Sequence, residues 1–376
     1  MKFVISSTEL LSHLSSISKV ISGKHTLPIL DNFLFKLEGS ELIITATDLE
    51  TTMITRIELD NVEGEGVLAL EARRLTNMLK EFPEQPLTFE ADMESMHVDI
   101  LTENGKFSIV GQNGEDFPQL PALQEENSNS MKISSEMLAI GVSKTIFATA
   151  DDELRPVMNG VFIDIKENDI TFVASDSHKL VRYRRSDINA GIETKFILPK
   201  KPAALLKGIL PMDDTEIELQ TDSNNAFFTI NGSQLISRLV EGEYPSYDSV
   251  IPADSPNKVV VDRVKLNNTI KRVAVFSNQA SNLIKLKLSV NEMLVSAQDI
   301  DFSISAYEKL KCQYDGDEME IGFKSVFLAE ILSNISSNDV VLELLDPSRA
   351  GIVVPLEKEN DAEDELMLIM PMMINA

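Results

Sequence analysis

Apolar and polar residues alternate along this chain in a pattern that occurs three times. Each occurrence opens with a short alternating strand and a stretch of helical periodicity, beginning at Lys2, Lys132 and Lys258. Two period-two strands about a polar turn follow. The second strand of each pair ends at an aspartate: Asp48, Asp176 and Asp299. Because order and spacing both recur, the pattern predicts an internal triple repeat.

A strand leading into a second amphipathic helix and a closing hairpin complete each repeat. Proline-containing extended segments end the first two repeats at Pro121 and Pro252. We therefore predict three domains, at 1–125, 126–254 and 255–376. The predicted class is α+β, with mainly antiparallel strands and two helices per domain. The predicted helices are residues 7–22, 71–81, 134–148, 199–211, 262–275 and 324–335.

Composition is that of a folded protein from a reducing compartment. The 376 residues are 43% apolar and include one cysteine, Cys312, which excludes an intramolecular disulfide framework and a cysteine-rich metal site. Polar residues interrupt the N-terminus before a signal sequence can form, and the longest apolar stretch, 366–374, is too short to span a bilayer. We expect a cytoplasmic protein with no membrane partner.

Charge is distributed unevenly between helices and the rest of the chain. The net charge is −26, yet the predicted helices carry +7 and the remainder −33. If the helices share one face, that face attracts a polyanion and the other surfaces repel it. No helix-turn-helix or zinc-finger spacing is present, so contact with nucleic acid should be to phosphates and independent of base sequence.

The most enzyme-like string is Asp176-Ser177-His178, which contains the three residue types of a hydrolase triad. Strand alternation would direct Ser177 away from its two neighbours, which argues against catalysis there. The four histidines lack metal-ligand spacing, so we expect no metal, no cofactor and no catalytic residue. Two alternatives remain: an acidic hydrolase using Asp176 and His178, and a peptide-binding adaptor that encircles nothing.

Particular strings, in order and spacing, give the chain a resemblance to a known family over its full length. They are MKF at the start, TLPIL (26–30), TATDLE (45–50), EARRL (71–75), Arg155-Pro156 with MNG (158–160), ASDSHKL (174–180), LPKK (198–201), EYPSY (243–247), MEIGF (319–323) and MPM (370–372). The sequence resembles the bacterial DNA polymerase III β subunits, the sliding clamps. The resemblance implies the DNA clamp fold, in which two three-domain subunits close head to tail into a ring with helices lining the hole.

The family resemblance also implies a function and partners. Such a ring is a non-catalytic processivity factor that slides along duplex DNA. It tethers the polymerase III α subunit, the clamp loader, other polymerases and repair proteins through short linear peptides, which bind in a groove between the second and third domains. A diffuse basic lining and an acidic exterior fit such sliding.

Site residues follow from matching this sequence to the family. The expected DNA-facing residues are Lys24, Arg73, Lys80 and Lys201, with Lys200, Lys271 and Arg272 added from the charge pattern. The expected groove residues are Arg155, Met158, Ser175, Ser177, His178, Leu180, Pro245, Val250, Leu368, Met370, Pro371 and Met372. The expected ring interface pairs Phe107 and Ile109 with Val275 and Phe276.

Two positions depart from the family pattern. Ser177 occupies a position where glycine is common, and the tail Met373 to Ala376 lacks the basic residue often found after MPM. We expect both differences to affect partner affinity more than the fold.

Overall fold

Six α-helices of nine to twelve residues lie within the ranges that the periodicity predicts. The structure is a computed structural model that describes residues 1–21 and 27–374. The helices are α1 (Ser7–Ile17), α2 (Ala72–Lys80), α3 (Ser135–Thr145), α4 (Lys200–Ile209), α5 (Arg263–Ala274) and α6 (Ser325–Asn334). Short 3₁₀ turns continue two of them, Ser18–Val20 after α1 and Ile146–Ala148 after α3.

The remaining regular structure is antiparallel strand. In the first part of the chain the strands are β1 (Lys2–Ser6), β2 (Asn32–Glu38), β3 (Glu41–Thr47), β4 (Thr51–Glu58), β5 (Val62–Glu63), β6 (Gly66–Glu71), β7 (Pro86–Asp92), β8 (His97–Leu101), β9 (Lys106–Val110), β10 (Gln112–Asn113), β11 (Asn129–Ser134), β12 (Gly160–Lys166) and β13 (Asp169–Ser175). In the second part they are β14 (Lys179–Arg185), β15 (Thr194–Pro199), β16 (Glu216–Thr221), β17 (Asn225–Ile230), β18 (Ser233–Arg238), β19 (Asn257–Asp262), β20 (Leu283–Ser289), β21 (Glu292–Asp299), β22 (Ile304–Lys311), β23 (Met319–Lys324), β24 (Asp339–Leu344), β25 (Gly351–Pro355) and β26 (Glu363–Ile369).

The chain forms two compact units, each with one long and one short sheet. The first unit comprises Met1–Ala139 and Ala204–Leu239, and the second comprises Ile140–Ala203 and Val240–Ala376. The first unit has sheets in the order β5-β1-β7-β8-β9 and β10-β6-β2-β3-β4-β18-β17-β16-β11. The second has β15-β12-β13-β14-β26-β25-β24-β19 and β22-β21-β20-β23.

The long sheets run across the boundaries between repeats. In the first unit β4 pairs with β18, as in the Met53–Leu235 register. In the second unit β14 pairs with β26, as in the Leu180–Leu368 register. Backbone hydrogen bonds therefore join consecutive repeats side by side, which explains why the compact units do not follow the repeat order.

Alternating burial along the strands builds the cores. In β1 the pattern places Phe3 and Ile5 inside, and Phe3 stacks on Phe89 of β7 with ring centroids 4.8 Å apart. In the third repeat, helices α5 and α6 pack on the sheet through Leu266, Ile270 and other fully buried apolar residues. Burial of these faces, rather than helix propensity, holds such short helices in place.

The aspartate that recurs at the end of each strand pair has the same structural task in all three repeats. One carboxylate oxygen accepts backbone N–H bonds from the residues two and three positions later: Asp48 from Glu50 and Thr51, Asp176 from His178 and Lys179, and Asp299 from Asp301 and Phe302. These Asx turns satisfy backbone donors that the strands leave unpaired. The aspartates therefore recur because the turns require them.

The observed class is α+β with antiparallel sheets and two helices in each repeat, as predicted. None of the helices in the described ranges is long and apolar enough to cross a membrane.

Candidate functional site

Several of the expected groove residues lie along the seam between β14 and β26 in the second unit. Leu180 and Leu368 face each other across this seam, are 3% and 2% exposed, and belong to one buried hydrophobic cluster. Tyr244, Tyr247 and Ile251 pack against the same cluster. This contact places the segment that contains Pro245 and Val250 beside the two strands, and Val250 is 53% exposed.

The turn that joins β13 to β14 holds further expected groove residues. The Ser175 hydroxyl donates to the Lys179 carbonyl at 2.9 Å and accepts from the Ser177 N–H at 3.2 Å. Ser177 has a φ of +75°. Its hydroxyl accepts a hydrogen bond from Arg155 Nη1 at 2.5 Å and lies 3.7 Å from the sulfur of Met158, which is buried. Four expected groove residues are thus brought together.

The imidazole of His178 stacks on Phe327 of α6, with ring centroids 5.6 Å apart. Lys179 and Lys324 each place Nζ 4.7 Å from the centre of the same ring, a cation–π arrangement. Lys179 is nearly buried and pairs with Asp176 at 3.0 Å and with Glu330 at 2.8 Å. Phe327, Lys179 and Lys324 were not among the expected site residues. Helix α6, which contributes Phe327, reads in sequence only as an amphipathic helix, and the two lysines are terminal residues of strands β14 and β23.

The MPM segment continues from β26 along the same surface. The Met370 N–H donates to the His178 carbonyl at 2.8 Å, and the Met372 N–H donates to the Gly322 carbonyl at 2.8 Å. A side chain at Gly322 would come within 2.9 Å of the Met372 carbonyl, so glycine permits this close approach. Met370 is 43% exposed, and Pro371 and Met372 are half-buried. The final stretch is therefore buried at the end of β26 and partly exposed after it.

Ser177 and His178 do not form a hydrolase pair. The Ser177 hydroxyl accepts a hydrogen bond from Arg155 and contacts Met158. The His178 ring stacks on Phe327. The Asp176 carboxylate accepts a backbone N–H bond and forms an ion pair with Lys179. A triad requires the hydroxyl on the imidazole and the carboxylate on the other ring nitrogen. The hydrolase alternative is therefore wrong about how these side chains are arranged.

Basic side chains expected to face DNA occupy the surfaces of several helices. Arg73 and Lys80 lie seven residues apart on one exposed face of α2 in the first unit. Neither of them has an ion pair or a side-chain hydrogen bond to another residue within 1–21 and 27–374, whereas their neighbour Arg74 pairs with Glu71 at 3.0 Å. Two unpaired cations on one face are suited to phosphate contacts.

In the second unit the expected DNA-facing residues differ in how far they are neutralised. Lys200 pairs with Asp151 at 2.9 Å, and Arg272 Nε donates to Glu308 at 3.0 Å. Lys271 is exposed at the end of α5, and Lys201 lies in the first turn of α4. Lys24 lies outside the described residues.

Two strand edges carry exposed apolar side chains. In the first unit β9 is the last strand of its sheet; Phe107 is 39% exposed, Ile109 is half-buried and Phe107 contacts Phe82 edge to face. In the second unit β22 is the last strand of its sheet. An unpaired apolar edge is a template for strand pairing with another chain.

More apolar residues lie exposed in the third repeat than the sequence analysis identified. The expected pair, Val275 and Phe276, follows α5 and is 74% and 38% exposed. Ile300 and Phe302 in the turn before β22, and Tyr307 within β22, were missed although each is more than 70% exposed. The sequence signal that could have identified Ile300 and Phe302 is the presence of apolar residues in a turn that follows a predicted strand.

Within the described ranges, no group of three or more His, Cys, Asp or Glu side chains is arranged to hold a metal ion.

Comparison with known proteins covers the whole length of the chain. Residues 1–121, 132–246 and 248–373 match the N-terminal, central and C-terminal domains of the DNA polymerase III beta subunit. Curated relatives include the beta sliding clamps of Pseudomonas aeruginosa, 28% identical over 99% of this chain and 100% of the relative, and of Vibrio cholerae, 26% identical over 99% of each.

Comparison with solved structures leads to the same family. The crystal structure of a sliding clamp (DNA polymerase III subunit beta) from Pseudomonas aeruginosa bound to griselimycin has a TM-score of 0.92 at 26% identity, and that of the DNA polymerase III beta subunit from Thermotoga maritima has a TM-score of 0.90 at 25% identity; each comparison covers 100% of both chains. The chain therefore belongs to the DNA polymerase III beta subunit family, the sliding clamps that act as processivity factors in DNA replication.

Proposed function

We propose that two copies of this chain close head to tail into a ring around duplex DNA. The observation that carries this proposal is the presence of two apolar edges on one chain, β9 in the first repeat and β22 in the third. A heterologous contact between different patches closes into a ring when its rotation permits, and the triple repeat makes a two-chain ring nearly sixfold. Phe107, Ile109, Val275 and Phe276 seal each joint, with Ile300, Phe302 and Tyr307 beside them.

The basic helix faces support sliding rather than reading of sequence. The proposed contacts are from lysine and arginine side chains to phosphates, and such contacts carry no base information. Arg73, Lys80 and Lys271 are the strongest candidates, because their charges are not offset by ion pairs among the described residues. Lys24, Lys200, Lys201 and Arg272 complete the proposed lining. The chain's net charge of −26 disfavours other contacts with DNA.

The groove along β14 and β26 is the proposed docking site for partners. Methionine side chains adapt to different apolar shapes, and Met158, Met370 and Met372 border this groove. The expected occupants are short linear peptides of the polymerase III α subunit, the clamp loader, other polymerases and repair proteins. A partner held by the ring meets its template at high effective concentration without any catalytic group on the ring itself.

Three further expectations belong to this proposal. The domains are 1–125, 126–254 and 255–376, which the three matched family regions support. The protein acts in the cytoplasm, where the chromosome of a bacterium is replicated. It needs no metal or cofactor of its own.

Solution mass by light scattering over a dilution series tests the ring. The proposal predicts about twice the 41.8 kDa of one chain, persisting on dilution. A monomer at all concentrations would remove encirclement and favour the adaptor alternative.

A further inference from the structure

The two carboxylate oxygens of Glu365 in the second unit are satisfied unequally. Glu365 lies in β26 and is 8% exposed. Its Oε2 forms an ion pair with Lys144 of α3 at 3.0 Å. Its Oε1 is buried and accepts no hydrogen bond from any residue within 1–21 and 27–374. A buried carboxylate oxygen is stable only when a hydrogen-bond donor or a cation lies beside it.

Glu365 lines a small cavity of about 20 Å³. That volume accommodates one particle of the size of a water molecule or an alkali ion. The cavity lies between α3, the segment that follows α6, and the loop between β25 and β26. Its other charged lining residues are Lys144, Glu357, Lys358, Glu359 and Glu363.

The charges around this cavity do not balance. Four of its lining residues are glutamates and two are lysines. Arg185 supplies a third cation through its ion pair with Glu363 at 3.3 Å, so one negative charge is left over. Burial raises the pKa of the Glu365 carboxyl against the opposing effect of Lys144, and Glu363 and Glu359 raise it further. A water molecule would donate to Oε1 but would leave the excess charge in place, whereas a cation satisfies both.

The available ligand atoms favour an alkali ion over a divalent metal. Carboxylate oxygens and the hydroxyls of Ser336 and Ser337, which also line the cavity, are hard ligands. A calcium ion takes roughly six to eight such oxygens. In the part of the chain that the structure describes, no three acidic side chains converge closely enough to start such a shell. A single positive charge also matches the single negative charge that is left over.

We propose that the cavity beside Glu365 binds one alkali cation, K⁺ or Na⁺, between Glu365 Oε1 and the carboxylates of the β25–β26 loop. The ion joins this acidic loop to α3 and to the segment after α6, where the middle and third repeats meet in the second unit. It adds to the stability of this junction without being required for the fold. Lys144 already holds the same elements, because it donates to Ser336 at 3.0 Å as well as pairing with Glu365.

Thermal unfolding of the full-length protein tests this site. It is measured at about pH 8 in KCl, NaCl or tetramethylammonium chloride at matched ionic strength, because tetramethylammonium is too large for the cavity. Glu365→Gln removes the buried charge, and Glu359→Gln removes a lining carboxylate while leaving the buried ion pair intact. Glu216→Gln is the matched control: Glu216 also pairs with a lysine, Lys132, at 3.3 Å, but its side chain is 67% exposed.

The wild type should unfold about 2–4 °C higher in KCl or NaCl than in tetramethylammonium chloride, and the effect should saturate with ion concentration. Glu365→Gln and Glu359→Gln should lose this difference, whereas Glu216→Gln should keep it. The larger of the K⁺ and Na⁺ effects identifies the preferred ion. Equal unfolding temperatures of the wild type in all three salts would mean that the cavity holds water only and would overturn the proposal. An alkali effect that Glu365→Gln and Glu359→Gln both retain would overturn it as well, because the ion would then bind elsewhere.

Discussion

Arg272 of α5 and Glu308 of β22 form an ion pair that Lys271, the adjacent residue, does not share. Arg272 Nε donates to Glu308 at 3.0 Å, and the Thr269 hydroxyl donates to the other carboxylate oxygen of Glu308 at 3.0 Å. The bonds from Arg272 and Thr269 lower the pKa of Glu308, and the interaction with Glu308 raises the pKa of Arg272. Two cations predicted from sequence as equivalent are therefore unequal in their freedom to contact phosphate.

Salt dependence of DNA association should distinguish the two residues. Each phosphate contact contributes about 0.9 to the slope of log K against log salt. Lys271→Ala should flatten that slope, because its ammonium is exposed, whereas Arg272→Ala should flatten it less, because Arg272 must leave Glu308 to reach a phosphate. Fluorescence anisotropy with duplexes of two unrelated sequences measures both effects. A change in sequence preference in either variant would contradict phosphate-only contact.

A charge at the proposed ring joint should separate the protomers. Val275→Asp or Phe276→Asp would bury a carboxylate in an apolar contact, at a cost that an interface of a few apolar residues cannot offset. Sedimentation velocity should show a monomer for either variant. Val290→Asp is the matched control: Val290 is 66% exposed, close to the 74% of Val275, but lies in the β20–β21 turn. If both Val275→Asp and Phe276→Asp remained dimeric, the two residues would not lie at the interface.

The ion pair between Lys144 and Glu365 should make stability depend on pH in a defined direction. The two groups are 3.0 Å apart with side chains 17% and 7% exposed, and burial raises the pKa of the Glu365 carboxyl, with Glu363 and Glu359 adding to the rise and Lys144 opposing it. When the pKa of an acidic group is higher in the folded state than in the unfolded state, the group stabilises the fold at pH values below its unfolded-state pKa. That contribution is lost as the pH rises through the folded-state pKa.

Lys144→Met should therefore lower the free energy of unfolding by about 3 kcal/mol at pH 8, where an ionised and unpaired Glu365 is buried. The loss should shrink at pH 5, because protonation removes the buried charge. Urea unfolding of variant and wild type at the two pH values measures the difference. Lys132→Met, which breaks the exposed pair with Glu216, should show no measurable change at either pH. If Lys144→Met lowered the free energy of unfolding more at pH 5 than at pH 8, the predicted direction of the pH dependence would be wrong.

Two glycines within helices should respond oppositely to alanine. A β-carbon on Gly141 of α3 would overlap the ring of Phe172, which is fully buried, whereas on Gly208 of α4 its nearest neighbour would be Lys19 Nζ at 3.8 Å. Gly141→Ala should destabilise, since overpacking costs about 1–3 kcal/mol and exceeds the gain in helix propensity. Gly208→Ala should stabilise by about 0.5–1 kcal/mol. Thermal unfolding compares them; equal effects would contradict the packing of α3 on Phe172.

Much of the architecture was predictable from local pattern. The repeat, the α+β class and the six helices follow from periodicity, because each helix buries one face and each strand alternates. The pairing of β4 with β18 and of β14 with β26 was not predictable, since register between distant strands depends on tertiary packing. The proposed groove depends on the second of these pairings.

The residue types of the candidate site were more predictable than their contacts. Matching strings located Arg155, Ser177 and His178, but neither the bond from Arg155 to Ser177 nor the stacking of His178 on Phe327 has a sequence signal. The charge count likewise treated every helical cation alike. Only the folded structure shows that Lys200 and Arg272 have carboxylate partners.

Retention on closed DNA tests the central claim, encirclement, most directly. The protein is loaded onto a nicked circular plasmid with its cognate clamp loader and ATP, and the complex is isolated by gel filtration. One half is then cut once with a restriction enzyme. A ring predicts that protein stays with the circle at a salt concentration that abolishes ordinary phosphate binding, and leaves after linearisation because it slides off the ends. Equal retention on circular and linear DNA, or loss from both, would contradict encirclement.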